Sequence, residues 1–254
     1  VGITGSSVWL AFLVAALCIL PAVLSKSELG TAMPKSGGTY VYIERAFGPL
    51  FGTIAGIGLW LSLLLKSAFS LVGLSAYLYV VVNIDEAYTK AIALLALLLI
   101  FLLNVFGLKK VEKTQLFIVS VSLISLIVII VLGFSSFDTK LTEPVFSDGT
   151  NGFIAGVAFL YISYAGVTKI AAIAGEIKNP AKNLPLTMII SLFLITTIYC
   201  MVALALVGNV EASILATDIK PIHTLFQTIG GDTFGLVAGV VGSLTLLSMA
   251  NSGV

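Results

Sequence analysis

Residues 164–169, Tyr-Ala-Gly-Val-Thr-Lys, set hydroxyls, a glycine and an ammonium in the middle of an otherwise apolar membrane-length stretch. In hydrocarbon every backbone N–H and C=O must be paired, so an unwound, polar patch at mid-depth survives only where it is buried in protein or lines a wet cavity. With the ionisable Lys169 beside it, the patch reads as a substrate pocket rather than as scaffold. A second ammonium, Lys66, lies inside the apolar run 58–73. Unpaired there it would cost at least about 2.5–3.5 kcal/mol, so it must be neutral, paired or in water. Ser62 is four residues earlier and shares its face. Two roles stay open for Lys66: recognising a carboxylate or exchanging a proton in a cavity, or a structural charge bonded to helix carbonyls.

These residues need spanning elements to hold them. The chain has 254 residues, 59% hydrophobic and 10% charged, with a mean hydropathy of +1.14, which is the composition of a polytopic membrane protein. Apolar runs fall at 8–25, 50–82, 89–107, 114–135, 151–173, 184–207 and 233–254. Each is too continuous for a barrel strand, so the fold class is an all-α membrane protein with seven transmembrane helices.

The short loops set the orientation through their lysines and arginines. Lys26, Lys35 and Arg45, then Lys109, Lys110 and Lys113, then Lys178 and Lys182 mark three cytoplasmic connections. The alternate loops carry Lys90, Lys140 and Lys220 against Asp85, Glu86, Asp138, Glu143, Asp148, Glu211, Asp218 and Asp232, and face outward with residue 1. Near the inner helix ends, Glu28, Glu44, Arg45, Glu176 and Lys178 are candidates for ion pairs that bias a gate. Asn179-Pro180 and Pro185 should end and restart helices. Residues 213–231 read as a short amphipathic helix after Pro221, a thin external lid.

Little supports an enzyme. No nucleotide-binding loop, metalloprotease signature or nucleophile triad occurs, so no catalytic residue, metal ligand or cofactor is assigned. Cys18 and Cys200 lie in apolar spans as small hydrophobes. His223, alone in its loop, reads as a solvated surface histidine rather than a metal ligand. The net charge of +1 carries no message about nucleic acid, and none is expected as a partner. The residues leave the oligomeric state open.

Shifted by 183 positions, residues 51–64, FGTIAGIGLWLSLL, align without a gap on residues 234–247, FGLVAGVVGSLTLL. The two segments run in opposite directions in the topology above and are five spans apart, as an inverted repeat of five helices produces. The partner of the interrupted fifth span would then precede Val1. The expectation is a fragment cut at both ends, one transporter domain over 1–254, with 1–135 in the first repeat and 151–254 in the second.

Residues 25–49, SKSELGTAMPKSGGTYVYIERAFGP, residues 163–185, SYAGVTKIAAIAGEIKNPAKNLP, and residues 104–115, NVFGLKKVEKTQ, resemble signatures of the amino acid–polyamine–organocation transporters. The resemblance implies the five-plus-five inverted-repeat fold of 10–12 helices, with this chain holding helices 2–8 and with helices 1 (missing) and 6 discontinuous. It implies a multi-pass cell-membrane permease that moves an amino acid by alternating access.

By position, the resemblance makes Ile162, Ser163, Tyr164, Ala165, Gly166, Val167 and Thr168 the sixth-helix side of the substrate site, and puts Ser62, Lys66 and Ser67 on its facing wall. Gly166 would permit the torsions and close ligand approach of a break. Lys66 and Lys169 together argue for a neutral or acidic amino acid over a cationic one. Coupling is to H+ or Na+. The fifth-helix position that holds a lysine in some proton-coupled relatives is Ser122 here, while Ser248, Asn251 and Ser252 are candidates for sodium; proton coupling or exchange is preferred. Two other readings remain, a transporter-fold sensor or partner subunit that moves nothing, and a heptahelical receptor, disfavoured because residues 233–254 hold no lysine for a Schiff base.

Overall fold

A computed structural model describes residues 1–82, 88–105, 111–146 and 149–251. Among them the chain forms helices and no strands: α1 (Val8–Ala32), α2 (Thr39–Phe47), α3 (Pro49–Val82), α4 (Thr89–Val105), α5 (Val111–Ser135), α6 (Gly149–Tyr161), α7 (Ala165–Thr168), α8 (Pro180–Val207), α9 (Ala212–Leu215) and α10 (Pro221–Asn251). Six stretches are long and apolar enough to cross a membrane: Gly5–Ala32, Pro49–Val82, Gln115–Ser135, Gly149–Glu176, Pro180–Val207 and Pro221–Asn251. The seventh expected span, 89–107, corresponds to the shorter apolar helix Lys90–Leu102. Gly107, Lys109, Lys110, Asp85, Glu86, Asp148 and Ser252, all named above, lie outside the described residues.

Apolar helices of this kind keep their hydroxyls by returning them to their own backbone. Ser27 donates to the Leu24 carbonyl at 2.7 Å, Ser70 to Lys66 at 2.9 Å, Thr196 to Leu192 at 2.7 Å and Ser243 to Gly239 at 2.8 Å. A Ser or Thr satisfied in this way needs no water. The outward faces are lined by large apolar side chains such as Phe69, Leu94 and Phe193, as lipid contact requires.

The chain divides into two compact units, Val1–Trp60 with Thr142–Leu204, and Leu61–Leu141 with Ala205–Val254. The first unit has a core of Ala15, Ala16, Ile19 and Val23 from α1, Tyr42 from α2, then Tyr164, Val167, Ala171 and Ala174, closed by Leu184, Met188 and Leu192 of α8. Small residues let α1 approach closely: a Cβ on Gly156 of α6 would overlap the Thr4 side chain. In the second unit Leu71 and Leu74 of α3 pack with Ala96 and Ile100 of α4 and Ala250 of α10.

Three local expectations change. Pro180 does begin α8, behind an Asn179 with φ of 51°, a left-handed torsion that asparagine tolerates. Pro185 ends nothing and lies inside α8, because a proline near the first turn removes few helix bonds. The helix expected after Pro221 is present, but α10 reverses at Gly231 (φ 73°, ψ −167°), a conformation suited to glycine. That reversal folds residues 221–230 back on the following turns, so His223 is buried at 5% exposure instead of solvated.

Candidate substrate site

The interrupted segment tightens instead of unwinding. After α6 the chain passes through a 3-10 turn, Ile162–Tyr164, the single turn α7, and a longer 3-10 stretch, Lys169–Glu176. Narrower turns of three residues bond carbonyls less well than an α-helix does. The backbone leaves helical torsions at Ile173 (φ −105°, ψ 19°), beyond the patch where the sequence placed the break. Gly166 stays within α7, and its φ is outside the left-handed region. Its lack of a side chain matters for space instead: a Cβ built there meets nothing within 4 Å.

The rotation of this segment sorts the expected residues. Tyr164 is fully buried and Val167 nearly so, whereas Ile162, Ser163, Ala165 and Gly166 are exposed and Thr168 and Lys169 half-buried. The Tyr164 hydroxyl donates to the Phe12 carbonyl at 3.0 Å. Its ring sits 5.6 Å from that of Tyr199, which is 5.2 Å from Phe12, distances at which aromatic pairs attract. Beside them Cys200 Sγ contacts the Trp9 carbonyl at 3.4 Å. Tyr164 and Val167 therefore anchor the segment to the core, and their side chains do not belong to the open face. Thr168 Oγ1 donates to the Ala165 carbonyl at 3.1 Å.

Further along, the 3-10 stretch is clasped by the loop after α1. Tyr42 donates its hydroxyl to the Ala171 carbonyl at 3.3 Å, and the Gly37 N–H donates to the Ala172 carbonyl at 3.0 Å. Burial raises the Tyr42 phenol above its ordinary range, so it stays a donor. Among the charges expected at an inner gate, Glu44 engages its own helix by accepting from Tyr40, whose phenol it also raises.

The other candidates lie in the second unit. Ser62 is exposed and Lys66 half-buried, four residues apart on α3. Ser67 is buried, its hydroxyl directed at the Leu63 carbonyl (3.2 Å) and the Ala250 carbonyl (3.0 Å). That hydroxyl belongs to the contact of α3 with α10, not to an open surface. Ser122 donates to the Ile118 carbonyl at 2.8 Å and meets the Thr245 hydroxyl at 2.5 Å. Ser248 is buried and Asn251 half-buried on α10. Phe12, Tyr199, Tyr42 and Thr245 escaped the sequence reading, since each acts through a partner more than 100 residues away or through an aromatic ring that looks like ordinary lipid-facing surface.

A sequence profile described as "Amino acid permease" matches residues 1–254. The chain belongs to the amino acid permease family. It is similar to the chloroplastic cationic amino acid transporter 7 of Arabidopsis thaliana, 25% identical over 96% of this chain and 46% of that protein. It is similar also to the serine/threonine exchanger SteT of Bacillus subtilis (strain 168), 28% identical over 92% of this chain and 56% of the exchanger. The branched-chain amino acid permease BcaP of Lactococcus lactis subsp. cremoris (strain MG1363) is 28% identical over 96% of this chain and 57% of its own length. The chain thus spans about half the length of the curated relatives it matches. The permease is a multi-pass integral membrane protein, with six membrane-length helices among the described residues.

Proposed function

We propose that this permease is a secondary active transporter that carries an amino acid across the membrane by alternating access. The observation that carries the reading is the exposed face of Ile162, Ser163, Ala165 and Gly166, where a helix tightened to 3-10 turns leaves open space at Gly166. Backbone N–H groups at the helix starts there suit a carboxylate, and carbonyls at the ends suit an ammonium. In this reading the seven apolar stretches are helices 2–8 of an inverted-repeat transporter in the cell membrane, with residue 1 external.

A neutral or acidic substrate fits best, because Lys66 and Lys169 are both only half-buried along membrane-length helices and would repel a second cation. The relatives' names span cationic, hydroxylated and branched-chain amino acids, so the charge argument rests on the two lysines. Proton coupling or exchange is favoured over sodium: the Ser122 and Thr245 hydroxyls are hydrogen-bonded to each other at 2.5 Å, and with two protons between them one of the pair donates to the carbonyl before it, Ile118 or Val241, so the pair is closed by hydrogen bonds rather than opened around a cation.

Uptake of radiolabelled amino acids by proteoliposomes of the full-length protein tests the reading. Accumulation under an inward proton gradient, or only against a preloaded amino acid, supports coupled transport or exchange respectively. Binding with no flux under any gradient would sink the carrier reading in favour of a sensor.

A further inference from the structure

His223 is the single histidine of the chain, and the structure gives it an unusual setting. It lies in the helical turns 221–230 that fold back at Gly231. Its ring rests against Gly235, where a Cβ would come within 3.1 Å of Nε2 and 3.2 Å of the Gln227 Cβ. A side chain at 235 would crowd the ring, which would have to give by a few tenths of an ångström. From α3, the Tyr77 hydroxyl accepts the His223 backbone N–H, one of the first-turn donors that a helix leaves unpaired. Among the described residues, His223 Nδ1 is buried with no hydrogen-bond partner.

The charged groups nearby are already engaged. Asp218 accepts the Lys220 N–H at 2.8 Å and the Thr224 hydroxyl at 2.6 Å. The Lys220 ammonium stands 5.6 Å over the Tyr79 ring, and Asp232 accepts from the Gln227 amide at 2.9 Å. Tyr77, Asp218, Lys220, Tyr79 and Asp232 are thus the titratable groups seen around the ring and its helix among the described residues.

A neutral imidazole tolerates one dry nitrogen at a moderate cost. An imidazolium carries two N–H donors and a charge, and burying it without partners costs far more. Charge on His223 therefore favours the ring turned out to water, a change that undoes the packing of residues 221–230 on Gly235. Gly231 supplies a joint, since nothing lies within 4 Å of the position its Cβ would take.

We propose that His223 is a proton-binding latch: neutral, it holds the helix 221–230 down on Gly235, and protonated, it releases that helix about Gly231. The docked form contains the neutral ring and the released form the charged one, so docking is strong at neutral pH and weakens progressively as pH falls below the ordinary imidazole value of about 6.5. The proposal rests on the permease reading only for the side of the membrane that supplies the proton, the external one.

Nitroxides at Thr228→Cys and Val240→Cys, both exposed sites, measure the latch by electron–electron distance in the full-length protein in nanodiscs, its native cysteines replaced. One distance is expected at pH 7.5, and a longer one growing at least about fivefold in population by pH 5.5. His223→Gln, polar but unable to charge, should keep the short distance throughout. Gly235→Ala, whose methyl crowds the docked ring, should weaken docking and move the appearance of the long distance to a higher pH than in the parent. An unchanged distribution in the parent, the same pH response in His223→Gln, or release in Gly235→Ala at a pH no higher than the parent's would each overturn the latch. If His223→Gln does not fold, the parent and Gly235→Ala decide alone. The measurement needs no transport, so its failure leaves the permease reading standing.

Discussion

The hydroxyl of Ser67 donates to the carbonyl of Ala250 at 3.0 Å, and the two residues are 183 positions apart, the offset that lays 51–64 on 234–247. Here α3 and α10 meet. The contacts beside it run antiparallel, with Leu246 near Gly73, and Tyr77 against Gly242. The helix crossing accounts for this serine's burial and its hydrogen bond.

Ser67→Ala should therefore lower stability by roughly 0.5–1.5 kcal/mol, the net worth of one such bond, and leave substrate affinity within about twofold. Thermal unfolding in detergent alongside a binding isotherm checks this. A large loss of affinity at unchanged stability would return Ser67 to the substrate wall.

Gly166 lies on the exposed face with room beside it. Gly166→Leu should insert and fold normally yet weaken substrate binding by more than about tenfold, some 1.4 kcal/mol, by filling that space. Gly166→Ala should fold equally well and bind with a smaller loss. Scintillation binding on purified protein separates the cases, and parent-like affinity in the leucine variant would remove Gly166 from the site.

For Lys66, half-buried on α3, replacement by alanine removes a charge that costs about 2.5–3.5 kcal/mol to place at mid-membrane. Insertion should hold or improve, while transport falls by at least about tenfold, a difference of roughly 1.4 kcal/mol. Initial uptake rates normalised to surface amount give the answer. Parent-like rates would assign Lys66 a structural role.

Tyr42→Phe removes the donor to Ala171 and should cost roughly 0.5–1.5 kcal/mol. Because burial raises the folded phenol above its ordinary value, the neutral donor is present at full strength below about pH 10 and is lost only as pH climbs through and beyond it. The difference in melting temperature between parent and variant should be the same at pH 6 and pH 9. A gap that shrinks between those values would place a titrating group other than Tyr42 in the clasp.

Much of the frame was legible in the chain itself. Long apolar runs without water demand helices, and the signatures at 25–49 and 163–185 point to the family, because backbone pairing in lipid and motif spacing are written locally. Rotation and partnership were not. Whether Tyr164 or Ser163 faces the open side depends on the switch from 3.6 to 3.0 residues per turn and on the aromatic shelf of Phe12 and Tyr199, which belong to other helices. Pro185 and Gly166 looked like breaks because their intrinsic preferences allow one, yet Pro185 lies early in α8, where few helix bonds are lost, and Gly166 lies within α7. His223 looked solvated because its loop is polar; only the reversal at Gly231 buried it. The sequence by itself determined an all-helical amino acid permease and the residues available to its site. Tertiary packing decided which of them lie on an open face and which hold the helices, since that depends on contacts between residues far apart in the chain.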